Sequence, residues 1–293
     1  MAQAEETRAR LCAALGCEEA EIELVPVIAS GDKIQDRPLA DIGGKALWTR
    51  ELDAWLAEGR IDAAVHSMKD VETLRPDSLA IAAILTRADK ADVLIGATSI
   101  ANIPFGTRVG TSAPRRAAQL LHARPDLEVV GIRGNVATRL AKLQAGEADA
   151  TFLAAAGLDR LGETGVGTRL DPTEWLPAPA QAAIGIECRA DDARTRNLLA
   201  AIDHDESHCE VLAERRLLEG LGGSCHSPIA VLTGRTEGDW HMRAAIYSPD
   251  GVTRIADETR FVPHDHGPVV ELAARLLADA PPHVAVHFGG AHA

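Results

Sequence analysis

Along the first two thirds of the chain, short continuous apolar runs alternate with longer stretches whose apolar residues return every three or four positions. The short runs suit buried strands, and the longer ones have the period of amphipathic helices. Residues 4–15 read as a helix and Glu21–Ile28 as a strand. Gly43-Gly44 opens a helix with Trp48, Leu52, Trp55 and Leu56 on one face; a strand begins at Ile61, and Leu79–Leu85 is another. After the polar stretch Thr86–Asp92 the rhythm resumes. A strand ends at Arg108–Gly110, a helix starts near Pro114, Leu127–Ile132 is a strand, Asn135–Gly146 a helix and Ala150–Ala155 a strand. Leu176–Pro179 is proline-rich, and Gln181–Cys188 reads as a returning strand. This alternation predicts parallel sheets covered by helices.

The pattern changes near His204. A helix runs to about Leu218, a Gly-rich turn follows at Gly220–Gly223, and then come strand-like runs at Ile229–Thr233, His241–Tyr247 and Thr253–Val262. A helix carrying Val269, Ala273, Leu276 and Leu277 closes the pattern. Strands followed by a helix on short connections predict a small α+β domain with an antiparallel sheet. The expected organisation is a first α/β domain from residues 1–86 and 181–203, a second from 90–178, and a third, α+β, from 204–293.

Composition narrows the picture. Hydrophobic residues make up 46% of the 293, enough for real cores, but aromatics are only 3%, so Ala, Leu, Val and Ile must fill them. A net charge of -13 argues against a nucleic-acid partner. No apolar run is long enough to span a bilayer, and the acidic, helical start M-A-Q-A-E-E-T-R-A-R-L does not have the form of a signal peptide, so a cytoplasmic protein is expected. The cysteines are Cys12, Cys17, Cys188, Cys209 and Cys225, with no C-x-x-C among them. Neither a disulfide framework nor a metal site is indicated.

Several strand ends carry polar residues that could do chemistry. In I-D-A-A-V-H-S-M-K-D a strand gives way to Lys69 and Asp70, and in open α/β sheets ligands sit beyond such ends. In V-G-T-S-A-P-R-R, Thr111 and Ser112 take the cap position, and Arg115 and Arg116 fall in the first helical turn. The helix dipole disfavours cations there, and an anionic ligand would offset that. Arg133 follows another strand, with Arg139 one turn into the next helix. Together these predict a cleft lined with cations suited to carboxylate or phosphate. Lys45 and Arg160 are further candidates, although each alone reads as a solvated surface charge. Asp70 would be the lone carboxylate of the cleft. It could steady a developing cation, accept hydrogen bonds or move a proton, or it could simply pair with an arginine. Cys225 lies in G-G-S-C-H-S-P, an exposed loop, and is a candidate for covalent attachment or nucleophilic attack; the other cysteines read as structural.

These motifs resemble the porphobilinogen deaminase family. The matching pieces are E-L-V-P-V with Gly31-Asp32, L-A-D-I-G-G-K-A-L, D-A-A-V-H-S-M-K-D, V-G-T-S-A-P-R-R, I-R-G-N-V-A-T-R-L, A-A-G-L-D-R-L-G, I-G-I-E-C-R and G-G-S-C-H-S-P-I, in family order over nearly all of the first 230 residues. The resemblance implies two periplasmic-binding-protein-like domains with doubly wound sheets plus a small C-terminal α+β domain. It implies a monomeric transferase of tetrapyrrole biosynthesis that condenses four porphobilinogens into hydroxymethylbilane, with loss of ammonia, on a covalent dipyrromethane cofactor. Cys225 would carry that cofactor through a thioether. Asp70 would be the catalytic carboxylate, steadying the azafulvene-like cation left as ammonia departs. Lys69, Thr111, Ser112, Arg115, Arg116 and Arg133 would hold the cofactor; Arg133, Arg139, Arg160 and Lys45 would hold substrate. An alternative is a solute-binding protein using the same cleft for an anion; another is a cysteine-nucleophile hydrolase.

The chain also departs from the family. It starts inside the first helix, so the strand that usually precedes it, with its arginine and serine, is expected to be lacking, with activity or stability impaired. Ala113 stands where serine is usual, Asp41 where lysine is common, and Ala180 and Ala182 flank Gln181 where the family has glycine.

Overall fold

The computed structural model describes residues 1–27, 49–236 and 238–288. In chain order the regular elements begin with α1 (Ala2–Leu15), α2 (Arg50–Ala57), β1 (Ala63–Ser67), β2 (Leu79–Ile84), β3 (Asp92–Ile95) and β4 (Arg108–Gly110). Next come α3 (Pro114–Ala123), β5 (Glu128–Val130), α4 (Val136–Gln144), β6 (Ala150–Ala154), α5 (Ala155–Arg160), β7 (Thr168–Arg169), β8 (Ile184–Arg189) and α6 (Ala193–Ala200). The last are α7 (Asp205–Gly220), β9 (Ile229–Thr236), β10 (Asp239–Tyr247), β11 (Arg254–Phe261), α8 (Gly267–Ala278) and α9 (Pro282–Ala285).

The strands form three sheets, ordered β1-β8-β2, β5-β4-β6-β3-β7 and β11-β10-β9. Two α/β units and a small α+β unit are therefore present, as expected. The third sheet is an antiparallel meander with α7 and α8 against one face.

The parallel expectation holds only in part. In the second sheet β4 runs parallel to β5 and β6, but β3 is antiparallel to β6. In the first, β8 lies between β1 and β2 and is antiparallel to both. The reason is connectivity. The chain leaves the first sheet at the carboxyl end of β2 and returns at the amino end of β8, so Ile84 comes to face Gly185. The same holds where β3 enters beside the end of β6, with Asp92 opposite Ala154. The carboxyl ends of β1, β4, β5 and β6 are thereby turned toward the two crossings.

The strand expected over Glu21–Ile28 does not form. Glu19–Glu21 is a 3-10 turn closed by a capping box in which the Glu18 N–H donates to Glu21 Oε1 at 2.9 Å, and residues 22–27 have no ladder partner among the described residues. Charged Glu21 and Glu23 keep this segment at the surface, and an unpaired extended segment is not a strand. The expected Gly43-Gly44 helix start and Trp48 lie outside the described residues, as do Gly31, Asp32 and Asp41.

Candidate active site

A cleft of about 590 Å³ opens where the crossings meet the strand ends. Its walls carry Lys69 and Asp70 from the turn after β1, Ser112–Arg116 from the start of α3, Arg133–Asn135 and Arg139 around the start of α4, and Ala178, Pro179 and Gln181 from the second crossing. The loop Ser224–Ser227 of the third unit closes one side and contributes Cys225 and His226. Residues read separately from three parts of the sequence thus meet in one place.

Local sequence explains each position. Met68–Asp70 tightens into a single 3-10 turn as β1 ends, which swings Asp70 out of the sheet. Lys69 Nζ lies 3.8 Å from Asp70 Oδ1, both half-exposed. Pro114 starts α3, and the cap is Ala113 without a side-chain bond, not the Thr-Ser pair. Thr111 instead sits one step back and buried, its Oγ1 accepting from the Ala113 N–H at 3.2 Å. Asn135 caps α4, with Oδ1 accepting from the Thr138 N–H at 2.9 Å.

Arg115 and Arg116 are buried rather than surface arginines. The anion that faces them is Asp92, at the start of β3. Arg115 Nη1 donates to Asp92 Oδ2 at 2.6 Å and Arg116 Nη2 to Oδ1 at 2.7 Å. Trp175 Nε1 and Gln181 Nε2 donate to the same carboxylate at 2.9 and 3.0 Å. Burial opposes ionisation of Asp92, but the two guanidinium charges outweigh it and hold its carboxyl far below the usual range. The Nε of each arginine is buried with no hydrogen-bond partner among the described residues. Both side chains line the cleft.

Arg139 has a different surrounding. Burial, with the nearby charges of Arg116 and Arg133, pulls its guanidinium down to about 10. It is still cationic at neutral pH, and its Nε donates to the Gly134 carbonyl at 2.8 Å. A desolvated cation beside other cations gains most from an incoming carboxylate.

Cys225 is solvent-exposed yet set within the concave cleft. Desolvation there, followed by the carboxylates of Asp70 and Glu72, pushes its thiol up to about 11. His226 beside it is held below its usual value by burial and by Arg133. Cys188 and Cys209 are buried, as expected, whereas Cys12 and Cys17 at the end of α1 are partly exposed.

Two expected site residues, Thr111 and Arg160, are not in the cleft wall. Arg160 Nε lies 3.4 Å from Glu6 Oε2 and its Nη2 donates to the Ala182 carbonyl at 3.2 Å. Lys45 lies outside the described residues. Sequence reasoning also missed Asp92, whose signal was a lone carboxylate opening the apolar run D-V-L-I, and the acidic pair Glu210 and Glu214 on α7. Those two bind Arg87 of the first crossing, with Nη1 at 3.0 Å from Glu210 and Nη2 at 2.9 Å from Glu214.

The family model described as porphobilinogen deaminase, dipyromethane cofactor binding domain, matches residues 1–197, and that of the porphobilinogen deaminase C-terminal domain matches residues 208–276. A porphobilinogen deaminase of Sphingopyxis alaskensis is 55% identical over 97% of this chain and 91% of its own length. One of Paracoccus denitrificans is 48% identical over 96% and 91%, and a chloroplastic one of Oryza sativa is 45% identical over 93% and 77%. Distant likenesses among solved structures include an amino-acid transporter substrate-binding protein of Streptococcus pneumoniae, with TM-score 0.36, 14% identity and 72% and 82% of the two chains covered. Another is a sulfonate-binding protein of Methylobacillus flagellatus, with TM-score 0.35, 16% identity and 71% and 61% covered. Given both family models and relatives of this identity over nearly the whole length, the chain belongs to the porphobilinogen deaminase family.

Proposed function

We propose that this chain is a transferase that joins four porphobilinogen molecules head to tail into hydroxymethylbilane, one ammonia leaving at each addition, in tetrapyrrole biosynthesis. The observation that carries this reading is an exposed thiol, Cys225, inside a cleft walled by Lys69, Arg115, Arg116, Arg133 and Arg139 with Asp70 among them.

The residues fit a dipyrromethane held on Cys225. Such a group carries acetate and propionate side chains, and the arginines of the cleft wall, with the desolvated Arg139 among them, are donors for carboxylates. When bound, the group supplies the free pyrrole carbon to which the next substrate is joined. The chain's own residues do the rest. The arginines and Lys69 orient the carboxylates, and Asp70 accepts pyrrole N–H groups and supports positive charge on the ring as ammonia leaves. Desolvation is the first cause of the raised Cys225 pKa, and the carboxylates of Asp70 and Glu72 add to it a negative potential that favours a cation nearby. It also makes Cys225 a poor standing nucleophile, which speaks against a cysteine hydrolase. Arg160 and Thr111 would act on substrate or cofactor only indirectly in this arrangement.

A monomer of the cytoplasm fits this reading, with neither nucleic acid nor membrane as partner. The net charge of -13 repels nucleic-acid phosphates, and no helix among the described residues is long and apolar enough to cross a membrane.

Intact-mass measurement tests the proposal. Protein produced with porphobilinogen present should carry the mass of two linked pyrrole units, mapped by digestion to the peptide holding Cys225. Turnover of porphobilinogen by protein with an unmodified Cys225 would overturn it.

A further inference from the structure

Asp70 and Cys225 belong to different units, the first on the turn after β1 and the second on the loop after α7. Nothing in the chain path between them fixes their spacing, so contacts between the two segments must. Thr73, three residues past Asp70, donates from Oγ1 to the carbonyl of Gly223 at 2.8 Å, two residues before Cys225. Arg215 on α7 reaches the other way. Its Nη2 donates to the carbonyls of Glu72 at 2.6 Å and Thr73 at 3.0 Å, and its Nη1 lies 3.4 Å from that of Val71.

We propose that Thr73 and Arg215 are positioning residues that lock the Asp70 turn to the Cys225 loop and so set the carboxylate against the attachment point. The proposal rests on the roles given to Asp70 and Cys225 above. Arg215 is only 7% exposed, and it donates to the main-chain carbonyls of residues 71–73. A buried cation spent on backbone oxygens of one short segment fixes that segment's path more than it adds stability. The receiving loop is equally constrained. Gly222 has φ +60, the N–H of Gly223 donates to the Leu218 carbonyl at 2.8 Å, and a Cβ on Gly223 would stand 2.4 Å from Ile229 Cδ1. Gly223 therefore presents its carbonyl to Thr73 from a backbone that has little room to turn. The clamp also explains why carboxylates of the Asp70 segment, Asp70 and Glu72, dominate the charge felt by the Cys225 thiol, opposed there by Lys69.

The test compares Thr73→Val and Thr73→Ser, and Arg215→Met and Arg215→Lys, with wild type. In protein made without porphobilinogen, alkylation of the Cys225 peptide by iodoacetamide is followed against pH. Released from Asp70 and Glu72, the thiol should titrate lower in Thr73→Val and Arg215→Met, raising the rate at pH 8 about tenfold for each unit of pKa lost. With porphobilinogen supplied, the same variants should lose kcat with little change in KM, and Thr73→Ser should restore both readouts. A Thr73→Val protein with wild-type thiol titration and wild-type kcat would overturn the clamp. Wild-type protein that never gains an adduct on Cys225 would instead overturn the functional reading, and the thiol titration would still decide the clamp.

Discussion

Arg115 Nη1 donates to Asp92 Oδ2 at 2.6 Å, and both groups are buried at the junction of α3 and β3. This one carboxylate is shared by Arg115 and Arg116 and is also met by Trp175 and Gln181. It neutralises half of the charge that the arginine pair brings to the cleft wall. Asp92→Asn removes the anion and strands two buried cations. Removing one partner from a buried ion pair costs about 3–5 kcal/mol. Urea unfolding should show a loss of that size, and covalent adduct on Cys225 should fall with it. A variant of unchanged stability would mean that solvent already compensates the arginines.

Arg139 makes the opposite case. It is desolvated beside Arg116 and Arg133, and the charge of Asp70 opposes this only in part. Arg139→Leu should therefore leave stability unchanged or raise it. Substrate carboxylate would lose a charge-assisted partner worth about 1.5–3 kcal/mol, so KM for porphobilinogen should rise by roughly 10-fold or more. Steady-state kinetics alongside thermal melting separates the two effects.

Much of this site is legible in the sequence because each piece announces itself locally. Lys69 and Asp70, Arg115 and Arg116, and Arg133 all follow an abrupt switch from apolar strand to polar turn, and Cys225 sits between glycines and a proline. What is illegible depends on contacts across long separations. Asp92 reads as the end of a linker until the fold lays it under α3. Arg160 sits in a motif as suggestive as the others, yet α5 turns it toward Glu6 and Ala182. The antiparallel placement of β8 was likewise hidden, since a strand buried on both faces has the same composition whichever way it runs.

Glu187, on β8, predicts a pH dependence. Burial opposes its ionisation, but His66 Nε2, 3.3 Å away, and the hydrogen bonds from Arg75 prevail and lower its pKa from 4.5 to about 2. Arg75 binds it through Nε at 2.9 Å and Nη2 at 2.8 Å. A carboxyl depressed on folding contributes stability that is full above its unfolded pKa and is lost as pH falls through the folded one. The window is therefore about pH 4.5 down to 2, and the contribution is on the order of 3 kcal/mol. Denaturant midpoints of the wild type should drop across that window, and those of Glu187→Gln should follow pH less steeply. Parallel acid limbs for the two proteins would assign the loss to other carboxylates.

Ala180 and Ala182 lie in the second crossing with φ of 55 and 69, the left-handed region where a Cβ is disfavoured. Glycine, usual in the family here, would adopt these angles freely. The conformation is imposed by what surrounds it. The Ala180 N–H donates to Glu214 Oε2 at 2.6 Å, and Gln181 between the two alanines bonds Asp92 and the Lys90 carbonyl. The strain is thus held by the same contacts that place the arginine network. Alanine at a positive φ is less stable than glycine by more than the unfolded-chain entropy it saves, while each lost methyl gives back part of the gain through reduced burial. Ala180→Gly and Ala182→Gly together should stabilise the protein by on the order of 1 kcal/mol, raising the melting temperature by about 2–4 °C. Calorimetry of the double variant checks the size. An unchanged or lower melting temperature would mean that packing of the two methyls, Ala180 above all at 1% exposure, outweighs the backbone strain at this crossing.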